Sequence, residues 1–343
     1  MRIAVDLMGS DSSPTVIFSA VLQALEQLDP ALRIIALATK PILAELDLKA
    51  KSQLSPEQNS RLALFPATDF ISMNEDPLTA LRQKKASSLA LGIRLLKKNQ
   101  IDAFVSAGNT GALIAGATIS LPKIPGITRP ALLAVLPTQV GPIAVVDVGG
   151  NVSCKAHHLL KYAYMGAAYQ KCTAGIEIPR VGLLNIGVES KKGTSVVREA
   201  YRLLSEACKT QENLKPYMEF RGNIEGRDVF HGKVDVLVTD GFTGNVIVKT
   251  SEGIADVIFD YLKEALHQHP SPALHKTLMS IRSLFDYAEY EGALICGIDR
   301  LVIKCHGHSS AKAFFNGIRG ATQMIEQRLL EQIKHQLVNL PQS

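Results

Sequence analysis

Tryptophan is absent from this 343-residue chain, and aromatic residues of all kinds make up only 6% of it. Single-stranded nucleic-acid binders stack bases on aromatic side chains set among cations, so no nucleic-acid partner is expected despite a formal charge of +5. Cysteine is scarce as well: Cys154, Cys172, Cys208, Cys296 and Cys305 make five and form no CxxC pair. An odd, dispersed set suits core thiols in a reducing compartment better than a disulfide framework. Nothing approaches the roughly 20 uninterrupted apolar residues of a membrane-spanning helix, and the start Met1-Arg2-Ile3-Ala4-Val5-Asp6 reads as a strand rather than a signal peptide. A cytoplasmic protein is expected.

Familiar site signatures are missing too. GxxxxGK[ST], GxGxxG, GxSxG and HExxH do not occur, so the usual marks of nucleotide, serine-hydrolase and zinc-protease chemistry are lacking. His306-Gly307-His308 follows Cys305 directly but has no carboxylate close by in sequence, and it reads as a turn or hydrogen-bonding element. Neither a metal nor a cofactor is expected.

What the chain does have is apolar material, 46% of all residues, arranged in short runs that alternate with helix-period segments. That alternation predicts an α/β fold: a Rossmann-like three-layer α/β/α sandwich on a mostly parallel sheet. Strands are expected at Ile3 to Leu7, Ile34 to Ala38, Leu62 to Phe65, Ala103 to Ser106, Leu132 to Leu136, Ile143 to Asp147, Val181 to Asn185, Val234 to Thr239 and Leu301 to Lys304. Helices are expected at Thr15 to Leu28, Ser87 to Lys98, Thr110 to Ile119, His157 to Thr173, Val196 to Cys208, Val246 to Leu266 and Ala311 to about Lys334. With no repeat and no linker-like tract, residues 1–343 are expected to form one domain. A helical hairpin inserted at about 260–290 departs from the pattern, with Leu274, Leu278, Ile281, Leu284 and Phe285 on one face and Lys276 and Arg282 nearby.

In open α/β sheets ligands gather beyond the carboxyl ends of the strands, where loops lead into helix N-termini. Four glycine-containing loops lie at such ends: Ser106 to Ala112, Asp147 to Asn151, Asn185 to Gly193 and Asp240 to Asn245. Taken singly, each is adequately explained as a turn. Together they suggest an anion pocket, drawing on Gly108, Asn109, Thr110, Gly111, Asp147, Asn151, Asn185, Glu189, Asp240, Gly241, Thr243, Gly244 and Lys249. Helix capping is the plainer role for Asp6, Asp11, Asp147 and Asp240.

These loops, with Val5 to Gly9, Asp76-Pro77, Lys84 to Ser88, Arg129 to Ala131 and His306-Gly307, resemble in order the bacterial acyl-carrier-protein:phosphate acyltransferases of phospholipid synthesis. Gly9-Ser10, Ser12, Gly150 and Glu291 depart from that family's usual residues. The resemblance implies a fold like phosphate acetyltransferases and isocitrate-dehydrogenase-type enzymes, a homodimer, and transfer of a long acyl group from acyl carrier protein to inorganic phosphate. The acyl phosphate would pass to a glycerol-3-phosphate acyltransferase. By matching position, Lys192 and Asn245 are the catalytic residues it implies. A thioester is already activated, so phosphate can attack it directly once aligned, with Lys192, Asn245 and the 108–111 and 241–244 amides stabilising charge.

For the hairpin, dimer packing and peripheral attachment to the inner face of the membrane are equally weighted. Arg82, Lys84 and Lys85 could dock the acidic carrier. Two rival functions remain: a coenzyme-A-dependent phosphate acetyl- or butyryltransferase, and a non-catalytic scaffold for carrier protein.

Overall fold

A computed structural model describes residues 1–209, 217–268, 276–279, 281, 290–307 and 310–338. The described chain forms two compact units, the first from Met1–Pro130 with Tyr290–Leu340 and the second from Ala131–Glu289.

The first unit begins β1 (Arg2–Asp6), α1 (Pro14–Gln27), β2 (Arg33–Thr39), α2 (Lys40–Gln53), α3 (Pro56–Ser60) and β3 (Leu62–Ala67). It continues α4 (Pro77–Gln83), α5 (Ser88–Lys97), β4 (Ala103–Ser106) and α6 (Thr110–Ser120). Its strands lie in the order β3-β2-β1-β4-β11-β10, where β10 is Ala293–Cys296 and β11 is Leu301–Lys304. All these pairs are parallel except β10 with β11. α1 packs against α2 and α10 (Ala311–Glu326), while α5 packs against α6. Burial on both faces explains why β1 and β4 read as nearly unbroken apolar runs. Close approach fixes small residues: a Cβ at Gly92 of α5 would fall inside the buried Phe104 ring of β4.

In the second unit the order is β5-β6-β9-β7-β8, from β5 (Ala131–Leu136), β6 (Ile143–Val146), β7 (Arg180–Asn185), β8 (Glu219–Glu225) and β9 (Val236–Val238). Here β5 with β6 is the antiparallel pair and the rest run parallel. Covering helices are α7 (Ala156–Ala174), α8 (Ser195–Lys209) and α9 (Gly241–Gln268). The mixed α/β architecture with mostly parallel strands is thus as the sequence indicates.

Several expected boundaries shift for identifiable reasons. The helix expected to start at Val246 starts at Gly241, because Asp240 caps it and its two early glycines are helical rather than part of a loop. The helix expected to run to Lys334 breaks after Glu326; Arg328 takes a left-handed φ of 55° before α11 (Leu329–Val338). Strand β8 has no counterpart among the expected strands, since Arg221 and Gly222 interrupt its alternation. Nor was α2 expected, although Thr39 followed by Lys40-Pro41 is a helix-start pattern. Of the proposed hairpin residues, Leu274, Leu284 and Phe285 lie outside the described residues; Leu278 is buried and Ile281 exposed. Among the described residues no helix is long and apolar enough to cross a membrane.

Candidate active site

In the first unit, strand register sets three buried polar residues in a row at the carboxyl ends of neighbouring strands: Asp6 of β1 pairs with Ser106 of β4, which pairs with Lys304 of β11. The Ser106 hydroxyl donates to Asp6 Oδ2 at 2.9 Å and accepts from the Gly108 N–H at 3.1 Å, while the Met8 N–H donates to Asp6 Oδ1 at 3.0 Å. Lys304 Nζ donates to the carbonyls of Ala107 and Cys305. Burial pushes the Asp6 carboxyl up to about 6, a rise that hydrogen bonds from Ser88, Met8 and Ser106 and the Lys304 charge oppose. This row underpins the loop that opens α6.

At the start of α6 the Asn109 side chain is spent on the fold. Its Nδ2 donates to the carbonyls of Ser72, Met73 and Glu75 at 3.2, 3.1 and 3.0 Å, and its Oδ1 caps the Ala112 N–H at 3.0 Å. Asn109 is 6% exposed. That leaves the first-turn amides of Thr110 and Gly111 as donors for a ligand.

The second unit gathers Asp147, Gly149, Gly150, Asn151, Gly241 and Gly244 around one buried carboxylate. Asp147 Oδ1 accepts from the N–H groups of Leu132, Gly149 and Gly150 at 2.9, 3.1 and 2.8 Å, and Oδ2 from Asn151 Nδ2 at 2.9 Å. Burial raises the Asp147 pKa, with the Asn151 bond and the loop amides opposing. Asn151 Nδ2 also meets the Tyr162 hydroxyl at 3.0 Å, and its carbonyl accepts from the Gly241 N–H at 2.8 Å. Gly241 and Gly244, three apart, share one face of α9, and a Cβ on either would collide with the Asn151 or Asp147 backbone.

The expected donation by the 241–244 amides needs correcting in detail. The Gly241, Thr243 and Gly244 N–H groups already serve Asn151 O, Asp240 Oδ1 and Asp240 O. The Thr243 hydroxyl likewise donates to Asp240, at 2.9 Å to Oδ2. What α9 offers outward is the exposed Asn245 carboxamide, beside Gly149 and bonded to none of the described residues. Lys249, four residues on, is tied to Glu252 at 2.6 Å.

Lys192 stands in the loop after β7. Asn185 Nδ2 donates to the Lys192 carbonyl at 3.1 Å, the Lys192 N–H donates to Glu189 O at 3.1 Å, and Gly193 takes φ 85° against Asn185. The backbone is held while the lysine side chain is exposed and pairs with no described residue. Asn223 of β8, which sequence reasoning missed, donates from Nδ2 to Glu189 O at 2.9 Å. Nothing in the Glu219–Glu225 run marks it. Lys304 was missed too, although a lysine closing the apolar run Leu301-Val302-Ile303 is a legible sign of a buried charge.

The fold is an α/β one like that of solved phosphotransacetylases. The structure superposes on a phosphotransacetylase from Streptococcus pyogenes with a TM-score of 0.62 at 19% identity, covering 95% of this chain and 94% of that one. It superposes on the EutD phosphotransacetylase from Staphylococcus aureus with a TM-score of 0.61 at 15% identity, covering 94% of each. The chain belongs to the fatty acid synthesis protein family, which it matches over residues 1–332. A phosphate acyltransferase from Thermoanaerobacter pseudethanolicus is 42% identical over 345 aligned positions, spanning 99% of this chain and 98% of that protein.

Proposed function

We propose that the chain transfers a long fatty acyl group from the thioester of acyl carrier protein to inorganic phosphate, releasing acyl phosphate for a glycerol-3-phosphate acyltransferase. The observation that carries this reading is full-length kinship with phosphate acyltransferases within a fatty acid synthesis family. The likeness to phosphotransacetylases is one of fold.

A phosphate oxygen attacks the thioester carbonyl, the C–O bond forms, and the C–S bond breaks as the carrier's thiolate leaves and takes up a proton. The step calls for alignment and charge stabilisation rather than an enzyme nucleophile. Ser106 is bonded on both sides, and burial pushes the Cys305 thiol up to about 12, so neither is prepared to attack. Lys192 supplies the ammonium that neutralises the phosphate or the oxyanion, and Asn245 donates from its carboxamide. Asp147, Asn151, Asn185, Glu189, Asp240 and Thr243 hold the loops that carry them.

Assembly as a homodimer belongs to the same reading. It is supported by the outward apolar row Ile254, Val257, Ile258 and Tyr261 on α9, each at least half exposed and spaced along one helical face. Peripheral membrane attachment rests on the 260–290 sequence pattern.

Incubation with palmitoyl carrier protein and labelled inorganic phosphate, trapping product as hydroxamate, tests the proposal. Acyl phosphate from the carrier thioester and none from acyl coenzyme A is expected. No hydroxamate, or turnover confined to the coenzyme A thioester, would overturn it.

A further inference from the structure

The peptide groups around Lys192 are fixed by asparagines from neighbouring strands. Asn185, the last residue of β7, donates from Nδ2 to the Lys192 carbonyl at 3.1 Å, and the Lys192 N–H donates to Glu189 O at 3.1 Å. The same Glu189 oxygen accepts a second bond, from Asn223 Nδ2 of β8 at 2.9 Å. The turn from Glu189 to Lys192 is therefore anchored at its start by Asn223 and at its end by Asn185. The Lys192 stem leaves it over Gly187, where a Cβ would stand 3.3 Å from Lys192 Cγ. Rotation of the turn carries the ammonium with it.

Asn223 reaches the turn because β8 is bulged. Val181 pairs with Phe220 but Leu183 pairs with Asn223, so Arg221 and Gly222 together oppose Gly182. In unbroken register Asn223 would pair with Leu184, and a slip of one residue turns a side chain to the other face of the sheet. Gly222 takes φ 82°, a conformation that suits glycine. The bulge gives up regular pairing and aims one carboxamide at one carbonyl, a use of bulges common beside active sites.

Stability does not account for Asn223. It is 5% exposed, and its Oδ1 is buried with no hydrogen-bond partner among the described residues, a penalty that an apolar side chain avoids. Nor does Glu189 O depend on it, since the Lys192 N–H still donates there. What the carboxamide adds is restraint on the turn. We infer that Asn223 is a positioning residue for Lys192, holding the ammonium in the direction from which it meets the reacting phosphate. The inference rests on the catalytic role given to Lys192 above.

Asn223→Leu keeps the branched shape, removes the unpaired oxygen and strands no carbonyl. Its Tm is expected to equal or exceed that of wild type, while kcat falls by about tenfold or more and the KM for acyl carrier protein stays within about twofold. Because Asn223 acts through Lys192, its effect should vanish once the lysine is gone. The Lys192→Ala, Asn223→Leu double variant is expected to match Lys192→Ala within about twofold in kcat. A residue that merely supports the fold would lower kcat by the same factor in both backgrounds, and that result would overturn the inference. So would a wild-type kcat in Asn223→Leu. Asn223→Ala repeats the cycle, with the same outcomes read, should leucine disturb the sheet. Near-normal turnover in Lys192→Ala would remove the lysine from the chemistry and the role of Asn223 with it. No hydroxamate from wild type would overturn the proposed function itself, whereas an additive cycle in an active enzyme overturns this inference alone.

Discussion

Gly244 faces the carbonyl oxygen of Asp147 so closely that a Cβ built on it would stand well inside any distance real Cβ atoms adopt. The start of α9 is therefore seated on the Asp147 loop only because position 244 has no side chain. Gly244→Ala must push the helix start and Asn245 away, and a displacement of about 1 Å at a reacting group costs turnover on the order of 10²-fold. Tm should fall with it, by about 2–4 °C for each kcal/mol lost. Gly253 of the same helix has nothing within 4 Å of its would-be Cβ. Gly253→Ala should gain up to about 1 kcal/mol of helix propensity with unchanged turnover. Steady-state kinetics and thermal melts of the pair check both; equal behaviour refutes the seating argument.

Neighbouring lysines make a second comparison. Lys191 and Lys192 are both exposed in the loop after β7, but only Lys192 has its carbonyl held by Asn185 and its N–H by Glu189. Lys192→Ala is expected to lower kcat by about 10²- to 10³-fold with Tm unchanged, since its side chain packs against little. Lys191→Ala should stay within twofold of wild type, about the precision of such kinetics. Near-normal turnover in Lys192→Ala would remove the lysine from the chemistry.

Much of this arrangement was legible in sequence because local rules and burial agree. The apolar runs from Ile3, Ala103, Val181 and Leu301 read as strands buried on both faces, which puts the polar loops after them at the strands' carboxyl ends. Which donors in those loops are free was not legible. Asn109 and Asn151 look like ligand-facing amides in sequence, yet Asn109 is consumed by backbone carbonyls of the distant 72–75 segment and Asn151 by the Asp147 carboxylate of its own loop. Gly241 and Gly244 resemble loop glycines because their need, close approach of another backbone, appears only once α9 is docked. Asn223 was hidden because a bulge at Arg221 and Gly222 spoils the alternation that would have marked β8.

Asn109 supports a stability prediction. Its carboxamide caps α6 and ties that helix to the carbonyls of Ser72, Met73 and Glu75. Asn109→Ala removes the cap, worth about 1 kcal/mol, and strands buried carbonyls at about 1–3 kcal/mol more. A total loss of roughly 2–4 kcal/mol follows, measurable as a lower denaturant midpoint with an unchanged m-value. A change below about 0.5 kcal/mol, typical of surface substitutions, would show that the cap is dispensable.

Asp6 gives a prediction whose sign is opposite to that of most carboxylates. Its folded pKa, about 6, lies above the ordinary value of 3.8 because burial disfavours the charged form. Between those values the folded chain holds a proton that the unfolded chain has released, so stability falls as pH rises. The contribution is full below pH 3.8, is lost as pH passes through 6, and amounts to on the order of 3 kcal/mol for a shift of this size. Asp6→Asn removes the titration but keeps the volume. Its unfolding free energy relative to wild type should therefore climb between pH 4 and pH 7 and level off above. Any fixed cost of leaving Lys304 without its carboxylate displaces that curve without changing its slope. Urea denaturation of both proteins at unit pH intervals measures the difference, and a flat line across the window would mean that Asp6 is charged throughout.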